Sequence, residues 1–127
     1  MHEGLETIAS PHSVDQVVAR LQSMLEARGI KLFCLVDHSG EAEAAGLSMR
    51  PTKLLIFGNA KAGTPLMIDA PSTGLDLPLK ILVTQTESGN TILLWNDPAW
   101  LEQRHGFRSS LTANLAAVKA LAEAAAE

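Results

Sequence analysis

Asp37 and His38 stand side by side where an apolar run ends. An adjacent carboxylate and imidazole are the residue types that proton transfer uses, the one orienting and tuning the other. Neighbours in an extended strand point to opposite faces, so the pair reads equally well as a cap on the helix that follows. Asp97 and His105 repeat the two types farther along. Their plainer roles are an N-cap before Pro98 and a favourable charge near a helix end before Gly106. The candidate acids and bases are therefore Asp37, His38, Asp97 and His105. A second set has the chemistry of anion binding. Arg50, Lys61 and Lys80 supply positive charge, and Asn59, Gly63, Thr64, Asp76 and Asn96 supply polar or backbone groups beside strand ends and loops. If the fold brings them together they line a pocket for a small anion such as a carboxylate; the same charges can equally pair as salt bridges that hold loops.

Several other chemistries are not supported. Gly58 and Gly63 have the spacing of a phosphate loop after an apolar strand, but Thr64-Pro65 stands where Lys and then Ser or Thr are required. No G-x-S-x-G elbow occurs. His38 and His105 have no metal-ligand spacing, His2 and His12 fit no site pattern, and no metal or cofactor is expected.

The central stretch Arg50-Pro51-Thr52, Leu54 to Gly58, Asn59, Lys61 and Gly63-Thr64-Pro65-Leu66-Met67 resembles the family called domain of unknown function 302. So do Asp37-His38, Leu75-Asp76-Leu77-Pro78-Leu79-Lys80, Asn96-Asp97-Pro98 and Arg104-His105-Gly106. The resemblance covers roughly residues 30–106. Ala60 stands where that pattern usually has proline, and Trp95 where it commonly has tyrosine. The resemblance implies an α+β fold and no particular reaction.

The elements that must position these residues follow from periodicity and caps. A short strand at Thr7–Ser10 precedes the capping-box pair Ser13 and Gln16, and Val14, Val17, Val18, Leu21, Met24 and Leu25 then mark one helical stripe ending at Gly29. Ile30–Val36 and Lys53–Phe57 read as buried strands flanking a short helix over Ser39–Ala45. Ala60–Ala70 contains a helix capped by Asn59 or by Thr64, the latter with Pro65 at the first helical position. Leu79–Thr86 and Thr91–Trp95 form a hairpin around Glu87–Asn90. A two-turn helix after Asp97-Pro98 and a long, alanine-rich helix through Leu111, Leu115, Val118, Leu121 and Ala122 complete the chain. The order predicts a two-layer α+β domain over residues 1–127, with helices packed on an antiparallel or mixed sheet of about five strands.

Composition narrows the partners. The 127 residues carry a net charge of −4, and their ten Lys and Arg are scattered, which speaks against nucleic acid as a partner. No apolar run approaches the roughly 20 residues of a membrane helix, and Met1–Glu6 lacks the pattern of a secretory signal. The single cysteine, Cys34, lies in an apolar run, is expected to be buried, and points to the cytoplasm. The alanine-rich last helix suggests a homodimer, since small residues permit close helix approach. Together these features favour a cytoplasmic homodimer that binds a small anionic ligand. The alternatives are an enzyme with a histidine acid or base, and a protein-interaction or regulatory module.

Overall fold

The computed structural model of the protein describes residues 3–127; Met1 and His2, which includes one histidine weighed above, lie outside the described residues. Five strands form one antiparallel sheet: β1 (Leu5–Ser10), β2 (Lys31–Asp37), β3 (Thr52–Gly58), β4 (Leu79–Gln85) and β5 (Thr91–Asn96), in the spatial order β1-β5-β4-β3-β2. The α+β architecture is thus as expected, with a sheet that is wholly antiparallel. Helix α1 (Val14–Ala27) carries the chain from one edge of the sheet to the other. Helix α2 (His38–Ala44) joins β2 to β3, α3 (Ala60–Asp69) follows β3, and α4 (Pro98–His105) and α5 (Ala117–Ala126) follow β5.

Alternation along each strand sends one set of side chains toward α1 and α5. Leu55 and Phe57, Ile81 and Val83, and Leu93 and Trp95 are all buried there against Val17, Leu21, Leu121 and Ala122. Each such side chain contributes about 1.5–3 kcal/mol through burial. The start of α1 is set by the expected capping box, with Ser13 Oγ accepting from Gln16 N and Gln16 Oε1 accepting from Ser13 N. Arg20 of α1 donates to the Ala124 and Ala125 carbonyls, tying α1 to the last turn of α5. A smaller apolar cluster, Leu66, Ala70, Leu101, Phe107 and Leu115, sits where α3, α4 and two 3-10 stretches (Pro71–Leu75 and Ser109–Leu115) come together.

Three expectations are corrected. The last helix is not continuous: a 3-10 stretch ends at Leu115, and α5 begins at Ala117. Its small residues are divided: Ala122, Ala125 and Ala126 are buried in the chain's own core, whereas Ala117 and Ala120 are exposed. Strand β2 is an edge strand with a bulge between Leu32 and Cys34, and most of it is exposed. Cys34 is consequently exposed, because it faces the side of the sheet that α1 and α5 do not cover. Asn59 wins the competition to cap α3, its Oδ1 accepting from Lys61 N, and Pro65 lies inside the helix.

Candidate functional site

Strand direction sorts the candidate residues to two ends of the sheet. Asp37, His38 and Arg50 lie at the end where Asp37 pairs with Lys53 and Thr52 with Thr84. Asn59, Lys61, Gly63, Thr64, Asp76, Lys80, Asn96, Asp97 and His105 lie around the other end, near Gly58 and Leu79. Seven residues of β3 separate the two groups, about 20 Å at the usual rise of a strand. Arg50 therefore cannot share an anion pocket with Lys61, and its Nε donates instead to the Gln85 carbonyl at 3.0 Å. For the same reason His38 and His105 do not share a site.

At the first end, Asp37 acts as a cap. Its Oδ1 accepts from Gly40 N at 2.9 Å and from Ser39 Oγ at 2.8 Å, and these bonds, the Gly40 amide foremost, hold its carboxyl below the usual value. Lys53 pairs with Asp15 of α1 at 2.9 Å, a hydrogen bond that raises its pKa. His38 opens α2 and is exposed.

At the second end a charged cluster forms around a nearly buried carboxylate. Asp76 Oδ2 lies 2.6 Å from His105 Nε2 and 3.0 Å from Arg104 Nη1. The side chains of His105 and Asp76 are only 3% and 14% exposed. An ionised carboxylate only accepts, so Nε2 carries a proton; in the neutral ring Nδ1 then accepts from Ser72 Oγ, 2.8 Å away. Asp97, the orienting partner expected for His105, instead caps α4 by accepting from Ala99 N. Asp76 takes that role because the 3-10 stretch after α3 brings it beneath the last turn of α4. Lys80 bends back to the Asp76 and Pro78 carbonyls at 2.8 and 3.2 Å, and burial lowers its pKa. Among the described residues no three of His, Cys, Asp or Glu are grouped so as to hold a metal ion.

Beside this cluster lies a cleft of about 290 Å³. Its walls come from the turn after β3 and from α3 (Gly58, Asn59, Gly63, Thr64, Met67), from Leu77 to Leu79, from Phe33 at the β2 bulge, and from Asn114 and Leu115. The lining is almost entirely apolar. Gly63 keeps one wall low: a Cβ there would stand 3.5 Å from Leu77 Cδ1 and 4.0 Å from Met67 Cε, in ordinary contact. Asn59 Oδ1 is occupied by Lys61 N, and Asn114 Nδ2 by the Ala62 carbonyl, which leaves the other amide atoms and the Thr64 hydroxyl for anything that enters. Of the expected binding residues, Asn59, Gly63 and Thr64 line this cleft; Lys61 is exposed in the first turn of α3 and is not part of the wall. Asn96 ends β5 outside the lining. Sequence reasoning missed Phe33, which a bulge places there, Ser72, which lay in a segment read only as turn-rich, and Asn114, which was assigned to a continuous helix.

The sequence model of the family described as domain of unknown function DUF302 matches residues 6–126, well beyond the stretch in which the resemblance was recognised. The fluoride-specific ion channel FluC 1 of Brucella suis biovar 1 (strain 1330) is 46% identical over 102 residues, 80% of this chain and 40% of that protein. FluC 1 of Brucella abortus biovar 1 (strain 9-941) matches at 46% over 102 residues, 80% of this chain and 38% of its own length. The chain thus spans about two fifths of the length of the curated relatives it matches. The crystal structure of an uncharacterized conserved protein DUF302 from Bacillus stearothermophilus superposes with a TM-score of 0.79 over 98% of this chain and 97% of that one, at 18% identity, a likeness of fold.

Proposed function

This chain belongs to the family described as domain of unknown function DUF302, and from that membership and the geometry above we propose that it is a small-ligand-binding module. The observation that carries the reading is the cleft of about 290 Å³ bounded by Phe33, Gly58–Thr64 and Leu77–Leu79, near the lower end of the volumes that ligand clefts span. Its lining favours a compact, mostly apolar molecule with one hydrogen-bonding group over the small anion that the sequence suggested. Two exposed cations stand by the cleft without lining it, Lys61 in the first turn of α3 and Lys31, whose Nζ lies 4.8 Å from the centre of the Phe33 ring, and they can attract a negative charge to the mouth.

The Brucella relatives bear the name of an ion channel, while no helix among the described residues of this chain is long and apolar enough to cross a membrane. We read the shared region as a ligand-responsive part of those proteins that lies apart from the channel itself, and no channel activity is proposed for this chain. Thermal unfolding in a panel of small apolar acids, alcohols and aromatic compounds tests the binding reading, since a ligand at a hundred times its Kd adds about 2.7 kcal/mol to stability. Fluoride serves as the contrasting sample and is expected to leave unfolding unchanged.

One observation favours a second reading, an enzyme. Asp76, His105 and Ser72 stand in the order carboxylate, imidazole, hydroxyl, with contacts of 2.6 and 2.8 Å, and Ser72 is exposed. In that reading His105 Nδ1 takes the Ser72 proton as Oγ attacks an acyl carbon, then returns it to the leaving group. Labelling of Ser72 by a fluorophosphonate, lost in His105→Ala, is the expected result; an unlabelled wild-type protein removes this reading and leaves the cleft untouched.

A further inference from the structure

The cleft beside α3 joins an apolar interior to a basic rim. No charged residue lines it. Lys31 pairs with Gly58 across β2 and β3, and its Nζ stands 4.8 Å from the centre of the Phe33 ring; Gly58 and Phe33 both belong to the lining. Lys61, in the first turn of α3, sits between two lining residues, Ala60 and Ala62. Both lysines are exposed, and among the described residues neither ammonium is paired with a carboxylate. The other groups that could compete are taken. Lys80 donates to the Asp76 and Pro78 carbonyls. Asp76, next in the chain to Leu77 of the lining, has its carboxylate engaged by His105 and Arg104. The rim therefore carries positive charge beside low-dielectric walls, an arrangement that focuses its field on whatever enters.

We propose that the ligand of this cleft is an amphipathic monocarboxylate, with its apolar body seated among Phe33, Met67 and Leu77 and its carboxylate held at the mouth by Lys31 and Lys61. The proposal rests on the binding reading above and adds to it the charge and the size of the ligand. An inorganic anion would lose its hydration to an apolar wall without recovering it in hydrogen bonds, and a doubly charged head would lose more. A neutral hydrocarbon would leave both ammonium groups unused. Asn59 offers a further donor at the same rim, since its Oδ1 is occupied by Lys61 N and its amide nitrogen is not. The volume sets the body. A cavity of about 150 Å³ takes one benzene ring, so the cleft of about 290 Å³ has room for about two fused rings.

Calorimetric titration with naphthoate and with the matching naphthalenemethanol is the test, because the two share one ring system and only the acid is charged at about pH 7. The proteins are the wild type and the double variant Lys31→Met with Lys61→Met, which keeps unbranched apolar stems and removes both charges. Its positions are exposed, so unchanged far-ultraviolet circular dichroism is expected. The wild type is expected to bind the acid about tenfold more tightly than the alcohol at low salt, each exposed ion pair supplying a factor of about three. That preference is expected to fall below about twofold in about 0.5 M sodium chloride and in the double variant, with the alcohol bound equally by both proteins. An alcohol that binds the wild type as tightly as the acid overturns the proposal and leaves the binding reading standing. A preference for the acid that persists in the double variant overturns the assignment to Lys31 and Lys61. If neither compound binds, the proposal fails, and the wider panel of the thermal screen decides the binding reading by itself.

Discussion

His105 Nε2 and Asp76 Oδ2 are 2.6 Å apart, the shortest link in a cluster that fastens α4 to the segment between α3 and β4. Removing the imidazole leaves a nearly buried carboxylate with Arg104 as its remaining side-chain partner. His105→Ala is therefore expected to lower stability by about 1–3 kcal/mol, the usual cost of stranding a buried hydrogen-bonding group. Ser72→Ala, at an exposed position on the other ring nitrogen, is expected to cost under about 1 kcal/mol. Urea unfolding of the two variants checks the order, and a larger loss for Ser72→Ala contradicts it.

Asp37 predicts an acid response. Its bonds to Gly40 N and Ser39 Oγ lower its pKa in the folded chain. A carboxylate with a depressed folded pKa contributes stability above its unfolded pKa, and that contribution is lost as the pH falls through the folded value. Between about pH 4.5 and 2.5 the wild type is expected to lose more stability than Asp37→Asn, which keeps an accepting oxygen but does not titrate. Parallel curves in urea unfolding over that range would sink the assignment.

Thr73 is fully buried, and its Oγ1 has no hydrogen-bond partner among the described residues. An unpaired buried hydroxyl is a cost, so Thr73→Val, which has nearly the same shape, is expected to raise stability by about 1 kcal/mol. A melting temperature lower than that of the wild type would show that the hydroxyl has a partner.

Gly63 lies inside α3 without a left-handed backbone, and an added Cβ meets only ordinary contacts. Gly63→Ala is expected to stabilise the protein by about 0.5–1 kcal/mol through helix propensity while narrowing the cleft. A destabilised variant would mean that the wall at Leu77 and Met67 is tighter than the geometry indicates.

The elements were largely legible because their signals are local. The Ser13–Gln16 capping box, the stripe from Val14 to Leu25 and the loop at Glu87–Asn90 each carry enough information within a few residues to define a helix or a turn. The site was only half legible. Asn59, Gly63 and Thr64 share one loop and helix start, so their company is visible in the sequence, whereas Arg50 was grouped with them although a whole strand lies between. The Asp76–His105 contact spans 29 residues and depends on a 3-10 stretch that carries no strong pattern. Cys34 was misjudged for a related reason: an apolar run reads as buried on both faces, and only the strand order reveals that β2 is an edge strand with one face uncovered.

The central claim is that the cleft beside α3 receives a small apolar ligand, and a binding titration on two proteins tests it most directly. The wild type and Gly63→Leu, whose side chain fills the space toward Leu77 and Met67, are titrated calorimetrically with each compound that raises the wild-type melting temperature. The account predicts saturable binding to the wild type that weakens at least tenfold in a folded Gly63→Leu protein, about 1.4 kcal/mol of lost affinity. Equal affinity for both proteins would contradict it, and so would a panel in which nothing but fluoride or another small inorganic anion binds.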